Sequence, residues 1–264
     1  MMNKPADIVT PAAKIHGAAI LGCFIHAGSW GTTIHKIHRW SVARESRYVC
    51  ICNAHSLVTA RHDPAFREAL ANADLSTPDG MPVAWMLRRM GFPEQPRING
   101  PDLMWNYCDV AERFCEPIFL YGSTPATLNA LHQNLLNAFP GLRIVGTYSP
   151  PFRTLTEQED AHIVDRINAS GAQIVFISLG CPKQELWMAA HQGKFGGVML
   201  GVGAAFDYHA GILLRAPLWM QHHGLEWLHR LYSEPQRLWK RYLLTNTQFI
   251  CRATWQLIRH KWQN

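Results

Sequence analysis

Thr77-Pro78-Asp79-Gly80 sets one carboxylate between a proline and a glycine, in a tight turn that feeds a helical stretch at 81–90. Such a turn fixes the aim of a side chain, and a fixed carboxylate suits a general base that takes the proton of an attacking hydroxyl. The same residues also read as an ordinary structural turn. A second cluster is Ser178-Leu179-Gly180-Cys181-Pro182-Lys183-Gln184-Glu185. Here an apolar run ends in glycine, a turn follows, and a helix starts near Lys183. Amides at a helix start hold phosphate, and Lys183 adds charge. Gln184 suits hydrogen bonding to a sugar or a diphosphate. This segment also offers a rival chemistry, with Cys181 as a nucleophile activated by the helix start and His191 or another histidine as its base. No flanking signature accompanies that rival.

Gly201-Val202-Gly203-Ala204-Ala205-Phe206-Asp207 is a weak dinucleotide loop, because Phe206 stands where a third small residue belongs. Its small residues, Gly203 among them, more simply let backbone approach a ligand or a neighbouring strand. Metal chemistry has little to build on. There are fourteen histidines, but no His-Glu-x-x-His, no Cys-x-x-Cys and no Asp-x-Asp. His222 and His223 would diverge by about 100° on a helix. No metal and no cofactor are expected, so arginine, lysine, amides or a helix dipole must meet any anionic leaving group.

The elements that must carry these residues alternate. Apolar β-rich runs at 19–24, 48–53, 117–123, 142–148, 174–180 and 197–203 predict strands, and helical spacing appears at 63–73, 81–90, 101–114, 124–139 and 156–170. Thr124-Pro125 has the form of a helix start, and Thr156 with Glu159 that of a capping box. Alternation of this kind predicts an α/β fold with a mostly parallel sheet, helices on both faces, and ligands beyond the carboxyl ends of the strands. Asn53, Gly122-Ser123, Gly180 to Gln184 and Gly203 all fall at such ends.

The chain has 264 residues, 48% hydrophobic and 17% charged, with a formal net charge of +6. That is a globular composition which favours anionic partners. Seven cysteines without regular spacing read as reduced thiols in a cytoplasm. Cys50 and Cys52 should point to the same face of a strand. The apolar patch at 18–27 is too short to span a bilayer, so membrane contact should be peripheral. Composition changes after about residue 216. From Trp227 onward Glu234 is the only acid, and Arg230, Arg237, Lys240, Arg241, Arg252, Arg259 and Lys261 interleave with Trp227, Trp239, Trp255 and Trp262. Rings at headgroup depth with cations on anionic lipid make an interfacial helix; a tryptophan face packed on the core is the plainer alternative. No groove-reading or base-stacking motif accompanies the charge, so nucleic acid is not expected.

Several stretches together resemble the WecG/TagA/CpsF bacterial glycosyltransferases, glycosyltransferase family 26. They are Cys52-Asn53-Ala54-His55-Ser56, the run from Ala73 to Pro82, Arg97-Ile98-Asn99-Gly100-Pro101-Asp102-Leu103 and Leu179 to Glu185. They continue through Gly201 to Gly211, Arg215-Ala216-Pro217, Gly224 to Leu231 and Glu234-Pro235-Gln236-Arg237, covering the chain from about 20 to 244. The resemblance implies a Rossmann-like catalytic domain at 18–216, after an N-terminal tail at 1–17, and a C-terminal helical appendage at 217–264. It implies inverting, metal-independent transfer of N-acetylmannosamine or another hexose from a UDP-sugar to a polyprenyl-diphosphate-linked saccharide. By the same resemblance the base is Asp79, the active-site Asn is Asn53, and Asn53, Arg97 and Gln184 bind substrate, with Asn53 and Gln184 orienting the donor. Arg230 and Arg237, with Lys240 or Arg241, would reach the diphosphate. The appendage would close over the site and touch the inner face of the plasma membrane; a homo-oligomer is left open. Ile51 stands where the family often carries threonine, and the Cys-Ile-Cys-Asn-Ala-His-Ser version is closer to the exopolysaccharide branch. Two other classes stay open: a hydrolase using Cys181, and a non-catalytic membrane- or polymer-binding module.

Overall fold

A computed structural model describes residues 16–263, without the side chains of His222, Arg237 and residues 261–263. The tail expected at 1–17 lies almost wholly outside the described residues. The chain opens with β1 (Gly17–Ile20) and β2 (Cys23–His26), followed by α1 (Trp30–Val42), β3 (Arg47–Cys52), α2 (Ala54–His62), α3 (Pro64–Ala71), β4 (Leu75–Pro78), α4 (Met81–Arg89) and α5 (Gly100–Arg113). Then come β5 (Ile118–Gly122), α6 (Pro125–Ala138), β6 (Ile144–Tyr148), α7 (Glu157–Ser170), β7 (Ile174–Ser178), α8 (Lys183–His191) and β8 (Val198–Gly201). Four more helices finish the chain: α9 (Ala205–His209), α10 (Leu218–His222), α11 (Glu226–Ser233) and α12 (Pro235–Gln263).

Strands β3 to β8 form one all-parallel sheet of order β4-β3-β8-β7-β5-β6. Both faces are apolar, as a doubly covered parallel sheet requires. Tyr48, Cys50, Cys52, Tyr121, Val175, Ile177 and Met199 face α2, α3, α7 and α8. Val49, Ile51, Leu120, Phe176 and Leu200 face α1, α5, α6 and α9. Cys50 and Cys52 do share a face. This is the parallel α/β architecture the alternation predicts and the Rossmann-like core the resemblance implies. The helix starts expected at Thr124 and Thr156 are present, with Thr156 and Glu159 closing a reciprocal box.

Several elements differ from the sequence reading. The run expected as one strand at 19–24 is a hairpin, because Leu21 and Gly22 both take positive φ (51° and 88°) and reverse the chain in two residues. Residues 75–78 form β4, which tolerates Pro78 because it is the sheet edge. Helices α1 and α2 also occupy stretches with no predicted element.

The long α12 lies along α2 and buries Phe249 and Ala253 on the core. Gln256 clamps the hairpin, accepting from the Leu21 amide at 2.9 Å and donating to the Ala19 carbonyl at 2.6 Å. Trp239, Leu243, Ile250, Trp255 and Ile258 of the same helix are exposed. Of the two arrangements the sequence left open, the tryptophan face packed on the core does not form: Trp227, Trp239 and Trp255 are exposed, and Leu238, Phe249 and Ala253 are buried instead. No helix among the described residues is long and apolar enough to cross a membrane.

Candidate active site

Parallel strands end on the same edge, and that edge gathers most of the expected residues. Asp79 follows β4 directly, and three backbone contacts fix its turn. The Asp79 amide donates to the Cys52 carbonyl at 2.8 Å, and the Ile98 amide to the Pro78 carbonyl at 2.9 Å. Thr77 Oγ1 donates to the Ile98 carbonyl at 3.3 Å. Gly80 then takes φ +79° to start α4, a conformation that suits glycine. Because residues 97–99 run beside β4, Arg97 is delivered to Asp79, with Nε 3.8 Å from Oδ1. The Asp79 side chain is 25% exposed. Burial raises its pKa above the ordinary carboxylate range; Arg97 pulls it down, Glu226 adds to the rise, and contacts with Asn53 and the Gly80 amide oppose it.

Asn53 ends β3 and caps α2. Its side-chain oxygen accepts from the Ser56 amide at 3.1 Å, and Ser56 Oγ accepts in return from the Asn53 amide. Its oxygen is therefore committed to the cap, leaving the amide NH2 to face Asp79. Gln184, 4% exposed, donates from Nε2 to the Gly201 carbonyl at 3.1 Å and to Glu185 Oε1 at 2.9 Å. Its Oε1 is shielded and has no partner. That oxygen lies on the Gly203 side, 3.8 Å from where a Cβ there would stand. At the end of β8 the missing Cβ of Gly201 makes room for the Met188 and Gln184 side chains, and Gly100 of α5 approaches the Val202 carbonyl oxygen to within 2.5 Å of where its Cβ would stand.

The start of α8 offers fewer free amides than the sequence suggested. The Gln184 amide bonds the Gly180 carbonyl at 3.0 Å, and the Glu185 amide serves its own carboxylate. Lys183 is exposed. Two residues before it, Cys181 lies against Ser56, the residue capped by Asn53, so the start of α8 adjoins the end of β3. Gln184 reaches the Gly201 carbonyl at the end of β8. The Cys181–His191 pair is not assembled, and here the structure corrects the rival reading. His191 ends α8 and is held by the Trp187 carbonyl at 2.7 Å and Asp160 at 2.8 Å, eight residues along the helix from Lys183. The Cys181 thiol is pushed up by burial first and by Glu185 second, away from a thiolate.

The C-terminal helices cover the Asp79 end. Gly224, at φ +72°, packs so closely on α4 that a Cβ would come within 2.7 Å of Met81. Arg230 sits over the Tyr208 ring at 5.9 Å and contacts Glu234 at 3.5 Å. Arg241 lies beside His55 and Cys181 at the start of α2 and the α8 turn. Nε of Arg215, Arg230 and Arg241 is shielded without a partner. Lys240 is exposed over Trp239. The Arg237 side chain lies outside the described residues.

Sequence reasoning gave no role to Glu226, Arg215, Asp102 or Glu185. Glu226 contacts Arg97 closely and Arg215 at 3.7 Å. Arg215 in turn binds Asp102 at 2.5 and 3.2 Å. Glu185 is 1% exposed, and burial raises its carboxyl to about 7. A lone acid at the border of a basic tail was the one available signal for Glu226.

This edge can do one kind of chemistry readily: proton removal at Asp79 beside the Arg97 guanidinium. Among the described residues no three His, Cys, Asp or Glu side chains group as metal ligands. The profile of the "Glycosyl transferase WecG/TagA/CpsF family" matches residues 18–263. A curated relative from Bacillus spizizenii, N-acetylglucosaminyldiphosphoundecaprenol N-acetyl-beta-D-mannosaminyltransferase, is 32% identical over 185 residues, 70% of each chain. With a match over nearly the whole length and a relative of that similarity, the chain belongs to the WecG/TagA/CpsF family and is a glycosyltransferase.

Proposed function

We propose that this glycosyltransferase moves N-acetylmannosamine, or another hexose, from a UDP-sugar to a polyprenyl-diphosphate-linked saccharide, with inversion. Asp79 takes the proton of the acceptor hydroxyl as its oxygen attacks the anomeric carbon. The bond from that carbon to the donor's phosphate oxygen breaks, and its electron pair leaves with the UDP. Arg97, Arg230 and Arg241 meet the charge of the departing diphosphate, with Lys240 and Arg237 assigned to the same role by position on α12. Asn53 holds the Asp79 carboxylate, while Gln184, beside Gly203, accepts from the donor through its unpartnered oxygen. Lys183, exposed at the start of α8, adds charge.

One observation carries this reading: a half-buried carboxylate without a close ion pair lies at a strand end where shielded guanidinium nitrogens lack acceptors. Such nitrogens fit an anionic ligand. The acceptor class rests on the relative, whose name specifies a diphosphoundecaprenol-linked acceptor. A lipid acceptor also gives purpose to the exposed Leu218, Trp219, Leu228 and Tyr232 of α10 and α11. Residues 217–264 would then be an appendage docking the enzyme peripherally on an anionic cytoplasmic membrane face during exopolysaccharide synthesis. UDP release is the direct test, screened over UDP-sugars with a short-chain polyprenyl-diphosphate N-acetylglucosamine. Asp79→Asn should lower turnover by ~10²–10⁴ with the fold intact. Turnover within a few-fold of the wild type would remove the base assignment.

A further inference from the structure

The carboxylate nearest the Arg97 guanidinium is not that of Asp79. Arg97 Nη2 is in close contact with Glu226 Oε2, while its Nε stands 3.8 Å from Asp79 Oδ1, beyond hydrogen-bonding distance. The other oxygen of Glu226 faces Arg215 Nη2 at 3.7 Å. One carboxylate from α11 is thus gripped by two arginines of the catalytic edge. Its place is fixed by construction. Glu226 is the first residue of α11, two residues after Gly224, whose contact with Met81 ties this helix to the turn that holds Asp79.

We propose that Glu226 is a positioning residue: by holding Arg97 it prevents a full Arg97–Asp79 ion pair and so keeps Asp79 basic. The inference rests on the reading of Asp79 as the base. Its electrostatic sense agrees with the geometry, since burial is the main cause of the raised Asp79 carboxyl, Arg97 opposes it, and Glu226 reinforces it. A base closed in a tight guanidinium pair is weaker, whereas one left unpaired has a pKa nearer the working pH. The charged and titratable groups facing the pair are Arg97 ahead of α5, Tyr208 on α9 and Arg215 ahead of α10; behind them Asp102 pairs with Arg215, and Arg230 and Tyr242 lie beside Tyr208. Tyr208 is pushed above its ordinary value of 10, chiefly by burial, and Asp102 is held low by Arg215 and Asn99 against its burial. Glu185, held near 7 by burial, titrates on the same edge, so the contribution of Asp79 is read from the difference between variants.

The test is the pH profile of kcat/KM for UDP release from UDP-N-acetylmannosamine, in the full chain, for two variants that should move it in opposite directions. Glu226→Gln removes a negative neighbour and frees Arg97, so the acid limb should fall by about one pH unit and kcat by about tenfold. KM for the donor should change far less. Arg215→Gln removes a positive neighbour, so the limb should rise. Glu226→Asp, which keeps the charge, should restore most of the wild-type limb. Loss of structure would move both variants alike, and if only one folds its direction decides alone. An acid limb unchanged in Glu226→Gln, beside an inactive Asp79→Asn, overturns the inference and spares the base. A fully active Asp79→Asn overturns both.

Discussion

Two carboxylates at opposite ends of one sheet are treated in opposite ways. Glu116 lies two residues before β5, at the amino edge, and is 2% exposed. Ser41 Oγ donates to it at 2.6 Å, the Tyr107 hydroxyl at 2.7 Å, and His38 Nδ1 contacts its other oxygen. Every lone pair that matters has a partner within the fold. Asp79, at the carboxyl edge, is more open, has no guanidinium within hydrogen-bonding distance, and keeps a raised pKa. A saturated buried acid has no capacity left for a ligand and serves stability. An acid left under-coordinated, on an edge where arginine nitrogens also lack acceptors, is available for a reaction. Unpartnered polar atoms cost stability, and their concentration at one edge distinguishes it from the other.

That contrast breaks most visibly if the two acids are exchanged as targets. Asp79→Asn should cost ~10²–10⁴ in turnover and leave the thermal midpoint close to that of the wild type. Glu116→Ala should do the reverse. It strands the buried Ser41 and Tyr107 hydroxyls, and losing hydrogen bonds to a charged group costs on the order of 3 kcal/mol in stability. Turnover per folded molecule should be unchanged. Denaturant unfolding and UDP release on the same two preparations decide it; a Glu116→Ala protein of wild-type stability would show that saturation at the amino edge carries no energy.

Glu185 sharpens the comparison, since it is as buried as Glu116 yet nearly as poorly partnered as Asp79. One of its oxygens accepts from Gln184, and the other has no partner. Burial raises its carboxyl from 4.5 to about 7. Below the lower value the acid is protonated whether the chain is folded or not. Between the two values the unfolded chain has released the proton and the folded one has kept it, so stability falls as pH rises. Above about 7 both forms are ionised and the loss is complete, at roughly 3 kcal/mol. Glu185→Gln should flatten this slope, and unfolding curves at pH 5 and pH 8 would reveal it. A wild-type slope that survives the substitution would mean that Glu185 does not set it.

Legibility in the sequence follows how local each cause is. Strand and helix alternation, the caps at Thr124 and Thr156, and the shared face of Cys50 and Cys52 depend on neighbours within four residues, and all are visible in order and spacing. The Pro-Asp-Gly turn is local too, so Asp79 could be singled out. Leu21 at φ 51° gives no such signal, because a non-glycine residue in that region is chosen by tertiary contacts; Gln256, 235 residues away, accepts from its amide. β4 was hidden by Pro78, whose missing donor matters only in a central strand. Glu226 was missed for the same reason as the Glu116 network: Arg97 is far off in the chain, Arg215 lies on the other side of α10, and helical spacing says which residues share a face but not what that face meets. The converse error was Cys181 with His191, where sequence proximity suggested a pair that α8 holds apart.

The smallest expected effect concerns Cys181, and it tests the carboxyl edge by denying it a second nucleophile. The thiol is half-buried at the turn before α8; burial raises its pKa most, Glu185 next, and Ser56 and Arg241 only partly offset them. A thiol kept protonated is a poor nucleophile. Cys181→Ser should therefore leave turnover within about threefold and stability within about 1 kcal/mol. Alkylation by iodoacetamide at pH 8, followed residue by residue with mass spectrometry, should reach the exposed Cys115 and Cys251 well before Cys181. Were Cys181 instead to react first, with turnover falling in step, the edge would hold an activated thiol as well as an unpaired carboxylate. Asp79 would then no longer stand alone as the reactive group that separates this end of the sheet from the other.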